Sequence, residues 1–179
     1  MPTLTFSRRY AMAHRLLSDP QSKCATPHGH DQVVSVRLRP TRGLDVGGSN
    51  MAAPFDRVKR RWHGWIDGQV DHALHLNLTD PLLDYFRANE PAQAGRIMTF
   101  RGDPTTEALV VAFWRKLEAF IAADDLPFVL EALTVQETPT NAVSLDAEGA
   151  ARVGAWSPGD WCDRADESLN DLAPVPVMA

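Results

Sequence analysis

Cysteine is scarce: only Cys24 and Cys162 occur in 179 residues. A single pair in a chain of this length is no disulfide framework, so a reducing, cytoplasmic setting is expected. Basic charge is also short. Eighteen Lys and Arg stand against 23 Asp and Glu, for a net charge of -5. That balance speaks against a nucleic-acid partner, which would call for a basic face. No run approaches the roughly 20 apolar residues that cross a bilayer, and no membrane partner is expected. The opening segment MPTLTFSRRYAMAHRLL scatters arginines among its apolar residues, unlike the unbroken apolar stretch of a signal peptide. Internal repeats and low-complexity blocks are missing too. What is present is 44% hydrophobic residues, enough for one domain with its own core.

Residues 3–16 are rich in Phe, Tyr and Leu with partial alternation, and a strand is expected there. Asp19-Pro20-Gln21-Ser22 is turn chemistry. Over 28–38, Val34, Val36 and Leu38 alternate with Val33, Ser35 and Arg37, the period-two pattern of a half-buried strand. The two strands read as an antiparallel hairpin with a long connection. Pro54 suits a helix start, and Phe55, Val58, Trp62 and Trp65 at helical spacing place a helix over 55–66, ended by Gly68. Arg57, Lys59, Arg60 and Arg61 on its other side read as a solvated face. Residues 78–103, with Pro81, Pro91, Gly95 and Gly102, read as loop. Pro104-Thr105-Thr106-Glu107 opens a helix whose apolar stripe runs from Leu109 to Ala123. Strands are expected over 128–137 and 142–145. The order ββααββ predicts an α+β fold, with helices on one face of a four-stranded antiparallel sheet. Residues 150–179 read as a loosely ordered extension, docked through Trp156 and Trp161.

His28-Gly29-His30 is the sharpest chemical signal. Side chains two apart on a strand share a face, and the glycine leaves room between the imidazoles. The hairpin brings His14 alongside. Three neutral imidazoles with an open fourth position fit a catalytic zinc; three unrelated histidines fit the spacing as well. Cys24 precedes the pair by four residues. It reads either as a fourth ligand, which would close the site, or as a free thiol, which ionises more readily beside positive charge. In Asp71-His72 a carboxylate can orient an imidazole for acid–base work, although adjacent residues meet this way only in a turn or at a helix start. Taken alone, the dipeptide reads more simply as a helix-capping Asp71 and a solvated His72. Glu137, at the end of a strand, can accept two parallel N–H bonds from a 2-amino-4-oxo pyrimidine ring, or simply face solvent.

Taken in order, these pieces resemble a known family. Ala13-His14-Arg15-Leu16, Cys24-x3-His28-Gly29-His30, Asp71-His72 with Leu76-Asn77, Pro104-Thr105-Thr106-Glu107 and Val135-Gln136-Glu137-Thr138 resemble 6-pyruvoyl tetrahydropterin synthases. They also resemble their bacterial relatives, the 6-carboxytetrahydropterin synthases of queuosine biosynthesis. The resemblance spans about residues 3–145, and the three-residue gap after Cys24 is similar to that of the 6-carboxy branch. It implies a tunnelling fold over 1–149, followed by the extension at 150–179, and a homohexamer built as a dimer of trimers. It implies a zinc-dependent lyase in which His14, His28 and His30 hold the metal. Cys24 would move a proton, Asp71 with His72 would form an acid–base relay, and Glu137 would anchor a pterin ring near Thr105 and Thr106. The implied substrate is 7,8-dihydroneopterin triphosphate, and the implied product is 6-carboxytetrahydropterin. Elimination of triphosphate alone, as in the pyruvoyl enzymes, and a non-catalytic zinc and pterin binder are the alternatives. Two departures stand out. Pro54-Phe55 replaces the family's usual Asp-Phe. Three residues, Ala73-Leu74-His75, separate His72 from Leu76 where two are usual, which makes His75 a second candidate for the role of His72.

Overall fold

The computed structural model describes residues 2–153 and 160–172. Its centre is a mixed sheet of order β4-β3-β1-β2-β5-β6. Strands β1 (Leu4–His14) and β2 (His28–Pro40) form the expected antiparallel hairpin, in register from Leu4 opposite Leu38 to His14 opposite His28. β5 (Phe128–Thr138) adds to β2, and β6 (Asn141–Asp146) adds to β5, both antiparallel. Tyr10 and Met12 of β1 and Val34 and Val36 of β2, all even-numbered, are buried on one face. On that face lie α1 (Phe55–Trp65) and the long α3 (Thr106–Ala123). The N-cap of α3 is Thr105, whose hydroxyl accepts the Ala108 N–H, leaving the helix start well satisfied.

Several expectations need correction. The sheet has six strands, not four, and is not wholly antiparallel: β3 (Ala73–Asn77) runs parallel to β1, and β4 (Ile97–Phe100) parallel to β3. Both strands are short and largely buried on both faces, so neither shows the alternation of a half-buried strand. The 78–103 segment is therefore not loop throughout. It holds α2 (Pro81–Asn89), capped by Asp80, and then β4. Nor do all helices share one face. Leu83 of α2 packs on Leu76 and Ile97 in a separate small cluster, whereas the preceding and following residues Ala73, Met98 and Phe100 face the main core. The element order, counting the short α4 (Ala147–Arg152), is ββαβαβαββα.

Gly68 does not end the first helix. The chain passes from α1 into a π turn, Ile66–Val70, a locally underwound form frequent at functional sites. Beyond α4, Trp161 is buried in the main core and its indole N–H donates to the Thr99 carbonyl at 2.9 Å. Lys116 of α3 is fully buried, donates to the Trp161 carbonyl at 3.1 Å and lies over the rings of Trp65, Phe120 and Trp161. Trp156 lies outside the described residues.

Candidate active site

The hairpin brings three imidazoles together. His14 ends β1, His28 and His30 begin β2, and one ring nitrogen from each lies within 4.8 Å of the others. Ring centroids are separated by 4.6 Å for His14–His28, 5.1 Å for His14–His30 and 5.0 Å for His28–His30. The glycine between the pair is required by the backbone. A side chain on Gly29 would meet the Met12 carbonyl oxygen at 2.9 Å, because Ala13 and Gly29 stand opposite in the hairpin.

The outer hydrogen bonds decide which nitrogens are available. His14 Nδ1 lies 2.9 Å from the Pro104 carbonyl and His28 Nδ1 lies 2.8 Å from the Thr26 carbonyl. A carbonyl only accepts, so both Nδ1 atoms carry the proton. Both neutral rings then turn lone pairs on Nε2 toward the same point, where the two Nε2 atoms are 3.2 Å apart. Two facing lone pairs at that distance repel unless a cation or an added proton lies between them. The donor set therefore fits a metal that takes neutral imidazoles. The backbone carbonyls act as the outer partners that fix tautomer and ring orientation. Burial pushes the His14 ring below the usual imidazole range, with the Pro104 carbonyl opposing and His28 and His30 adding to the shift. That also keeps it neutral and ready to ligate.

A cavity of about 670 Å³ opens beside the cluster, and its lining brings together His14, His28, His30, Cys24, Thr106 and Glu137. Cys24, half-buried in a 3₁₀ turn, lies outside the set of ligand atoms that converge within 4.8 Å. Glu137 is fixed by the hydroxyl of Thr106, which donates to its Oε1 at 2.5 Å. Thr105 also lines this cavity. The connection carrying Cys24 is tied down twice. The Leu16 N–H donates to the Cys24 carbonyl at 2.8 Å, and the Leu17 and Ser18 N–H groups donate to the Asp103 carboxylate at 2.9 Å each. Arg15 adds a two-point bond to the buried Asp80, its Nε donating at 2.7 Å. Sequence reasoning passed over Asp80 and Asp103. Their pairing with residues 65 to 86 positions away leaves no local pattern to read.

Asp71 and His72 are a pair, with His72 Nδ1 2.9 Å from Asp71 Oδ2. They meet because His72 adopts a left-handed conformation, with φ 65°. Asp71 does not cap a helix start. It follows the π turn, and its carboxylate accepts the Ala11 N–H at 2.8 Å. That bond first, and the His72 ring after it, hold Asp71 below the usual carboxylate range against the opposing effect of burial. The imidazole of His72 is solvent-exposed and lines a different hollow, with Leu74, Phe86, Glu90 and Arg96. Within one chain it does not reach the histidine cavity. His75 stands beside His14 in the sheet, fully buried, with neither ring nitrogen bonded. Unlike His72, it has no carboxylate partner among the described residues.

The model of the family described as 6-pyruvoyl tetrahydropterin synthase matches residues 3–148. The chain belongs to this family. A Halobacterium salinarum protein named "Probable 6-carboxy-5,6,7,8-tetrahydropterin synthase" is 32% identical over 133 residues, covering 73% of this chain and 77% of that protein. A Rickettsia bellii 6-carboxy-5,6,7,8-tetrahydropterin synthase is 26% identical over 98 residues, 55% of this chain and 67% of its own length. Among solved structures, an uncharacterized protein of Wolinella succinogenes superposes with a TM-score of 0.65 at 20% identity. It covers 82% of this chain and 98% of that one. The Caenorhabditis elegans 6-pyruvoyl tetrahydropterin synthase gives 0.52 at 24% identity, over 82% and 96%. These structures share the family's fold.

Proposed function

We propose that this protein is a zinc-dependent lyase. It converts 7,8-dihydroneopterin triphosphate and one water to 6-carboxy-5,6,7,8-tetrahydropterin, triphosphate and acetaldehyde. The reading is carried by one observation: the His14, His28 and His30 cluster, Cys24 and Glu137 line the same cavity. The names of the two relatives favour the 6-carboxy product. The three histidines would hold the zinc, and the bound ion would polarise hydroxyls of the substrate side chain. Glu137 would accept the ring N–H bonds of the pterin through the carboxylate that Thr106 steadies, with Thr105 nearby. Cys24 would carry a proton at the side chain.

Asp71 and His72 would serve as the partner acid–base pair, and this needs a second copy of the chain, since they line another hollow. β6 is an edge strand bordering the histidine cavity through Asn141, Ala142 and Val143. An uncovered edge gains by pairing across subunits. A homohexamer, a dimer of trimers, would bring one subunit's His72 to another's Cys24. Both thiols are free, which suits a reducing cytoplasm.

The deciding experiment is incubation of the zinc-loaded protein with 7,8-dihydroneopterin triphosphate, reading product mass and acetaldehyde together. Stoichiometric acetaldehyde with the 6-carboxy product is expected. Triphosphate without acetaldehyde would give the pyruvoyl-type elimination instead. Tight pterin binding without turnover would make the chain a non-catalytic binder.

A further inference from the structure

The peptide that carries His72 is gripped from both sides. Its N–H donates to the Ala11 carbonyl of β1 at 2.8 Å. Its oxygen, the Asp71 carbonyl, accepts from Arg96 Nη2 at 2.6 Å, and the other arm of the same guanidinium donates to the Gly68 carbonyl at 2.8 Å. Gly68 and Asp71 bracket the end of the π turn. Two parallel donors in one rigid plane suit this task, and no other side chain supplies them in that form. The grip matters because His72 sits at φ 65°, a conformation that residues with a Cβ avoid unless the surroundings impose it.

Arg96 is itself held. It is the last residue before β4, and the side-chain amide of Asn170 donates to the carbonyls on either side of it, Ala94 at 3.2 Å and Ile97 at 2.8 Å. The Thr99 N–H adds a bond to the Leu169 carbonyl at 3.1 Å. Asn170 and Leu169 lie beyond residue 148, where the family match ends.

We propose that Arg96, braced by Asn170 of the C-terminal segment, is the positioning residue that holds His72 against Asp71. The inference rests on the reading of Asp71 and His72 as the acid–base pair. The C-terminal segment thereby acts on the reaction without touching substrate, and the three-residue spacing between His72 and Leu76 is stabilised by a clamp from the 78–103 segment.

The test uses full-length Arg96→Ala, Arg96→Lys, Asn170→Ala and His72→Ala proteins loaded with zinc. Backbone amide exchange at His72 is followed together with kcat, KM and zinc content. Arg96→Ala should speed His72 amide exchange at least tenfold and lower kcat about tenfold, with KM and zinc unchanged. Arg96→Lys, with one bond in place of two, should fall between, and Asn170→Ala should shift both readouts in the same direction by less. Unchanged exchange at His72 in Arg96→Ala would overturn the clamp whatever the activity. Faster exchange with kcat intact, while His72→Ala loses turnover, would overturn the positioning role alone. Intact turnover in His72→Ala would sink the acid–base reading, and this inference with it.

Discussion

His14 and His28 face each other Nε2 to Nε2 at 3.2 Å, each with its other ring nitrogen on a backbone carbonyl. That relationship predicts a metal more directly than the count of histidines does. With Nδ1 protonated on both rings, the converging atoms are lone pairs, and only a cation or an added proton relieves them.

His28→Ala should reduce bound zinc from one per subunit to a small fraction while the fold persists, since His28 is only half-buried. Metal analysis beside circular dichroism checks this. Full zinc retention in a folded variant would remove the assignment.

Glu137→Gln should weaken pterin binding about tenfold or more, because an amide cannot accept both ring donors and leaves one group unpaired, at roughly 1–3 kcal/mol. Zinc content should hold, since Glu137 is not among the converging ligands. Calorimetry with a non-reactive pterin reads both variant and wild type; equal affinity would end the role.

His75 gives a pH prediction. Burial, and secondarily the charge of a protonated His14, push its pKa down to about 3. Between that value and about 6.5 the unfolded chain binds a proton that the folded chain refuses, so stability falls as pH falls through this window. From pH 7 to pH 5 the loss attributable to His75 is about 2 kcal/mol. In metal-free protein, His75→Leu should lose less stability by about that amount over the same interval in urea titrations. It should be close to neutral at pH 7, where an orphaned polar ring is exchanged for an apolar one. An identical pH slope in the two proteins would contradict the burial argument.

Trp161→Ala tests whether the segment after α4 belongs to the core. Its indole packs on Trp65 and Phe100 and bonds the Thr99 carbonyl. Truncation of so large a buried ring should cost about 3–5 kcal/mol. A change under about 1 kcal/mol in denaturant would show the segment to be a detachable tail.

The convergence of His14, His28 and His30 was legible because its signals are local. His28-Gly29-His30 starts a strand with unmistakable period-two burial, and a hairpin makes His14 its neighbour by register. That Pro104-Thr105-Thr106-Glu107 opens a helix follows from residue chemistry alone. The sheet was read less completely for a physical reason. β3 and β4 are four or five residues long and buried on both sides, so alternation, the usual signature, is absent. The Pro and Gly residues of 78–103 that suggested loop instead frame α2 and the approach to β4. The left-handed turn at His72 depends on Ala11 and Arg96, residues 61 and 24 positions away, and no local pattern encodes it.

The account turns on Cys24 being a proton carrier beside an open three-histidine centre, and Cys24→Ala tests that most directly. Zinc content, pterin affinity and turnover of 7,8-dihydroneopterin triphosphate are measured on the same preparation. The prediction is unchanged zinc, unchanged pterin binding and a fall in turnover of about 10²–10⁴, the usual share of a general base. Loss of zinc together with thermal stability would make Cys24 a fourth ligand, close the site to substrate and contradict the enzyme.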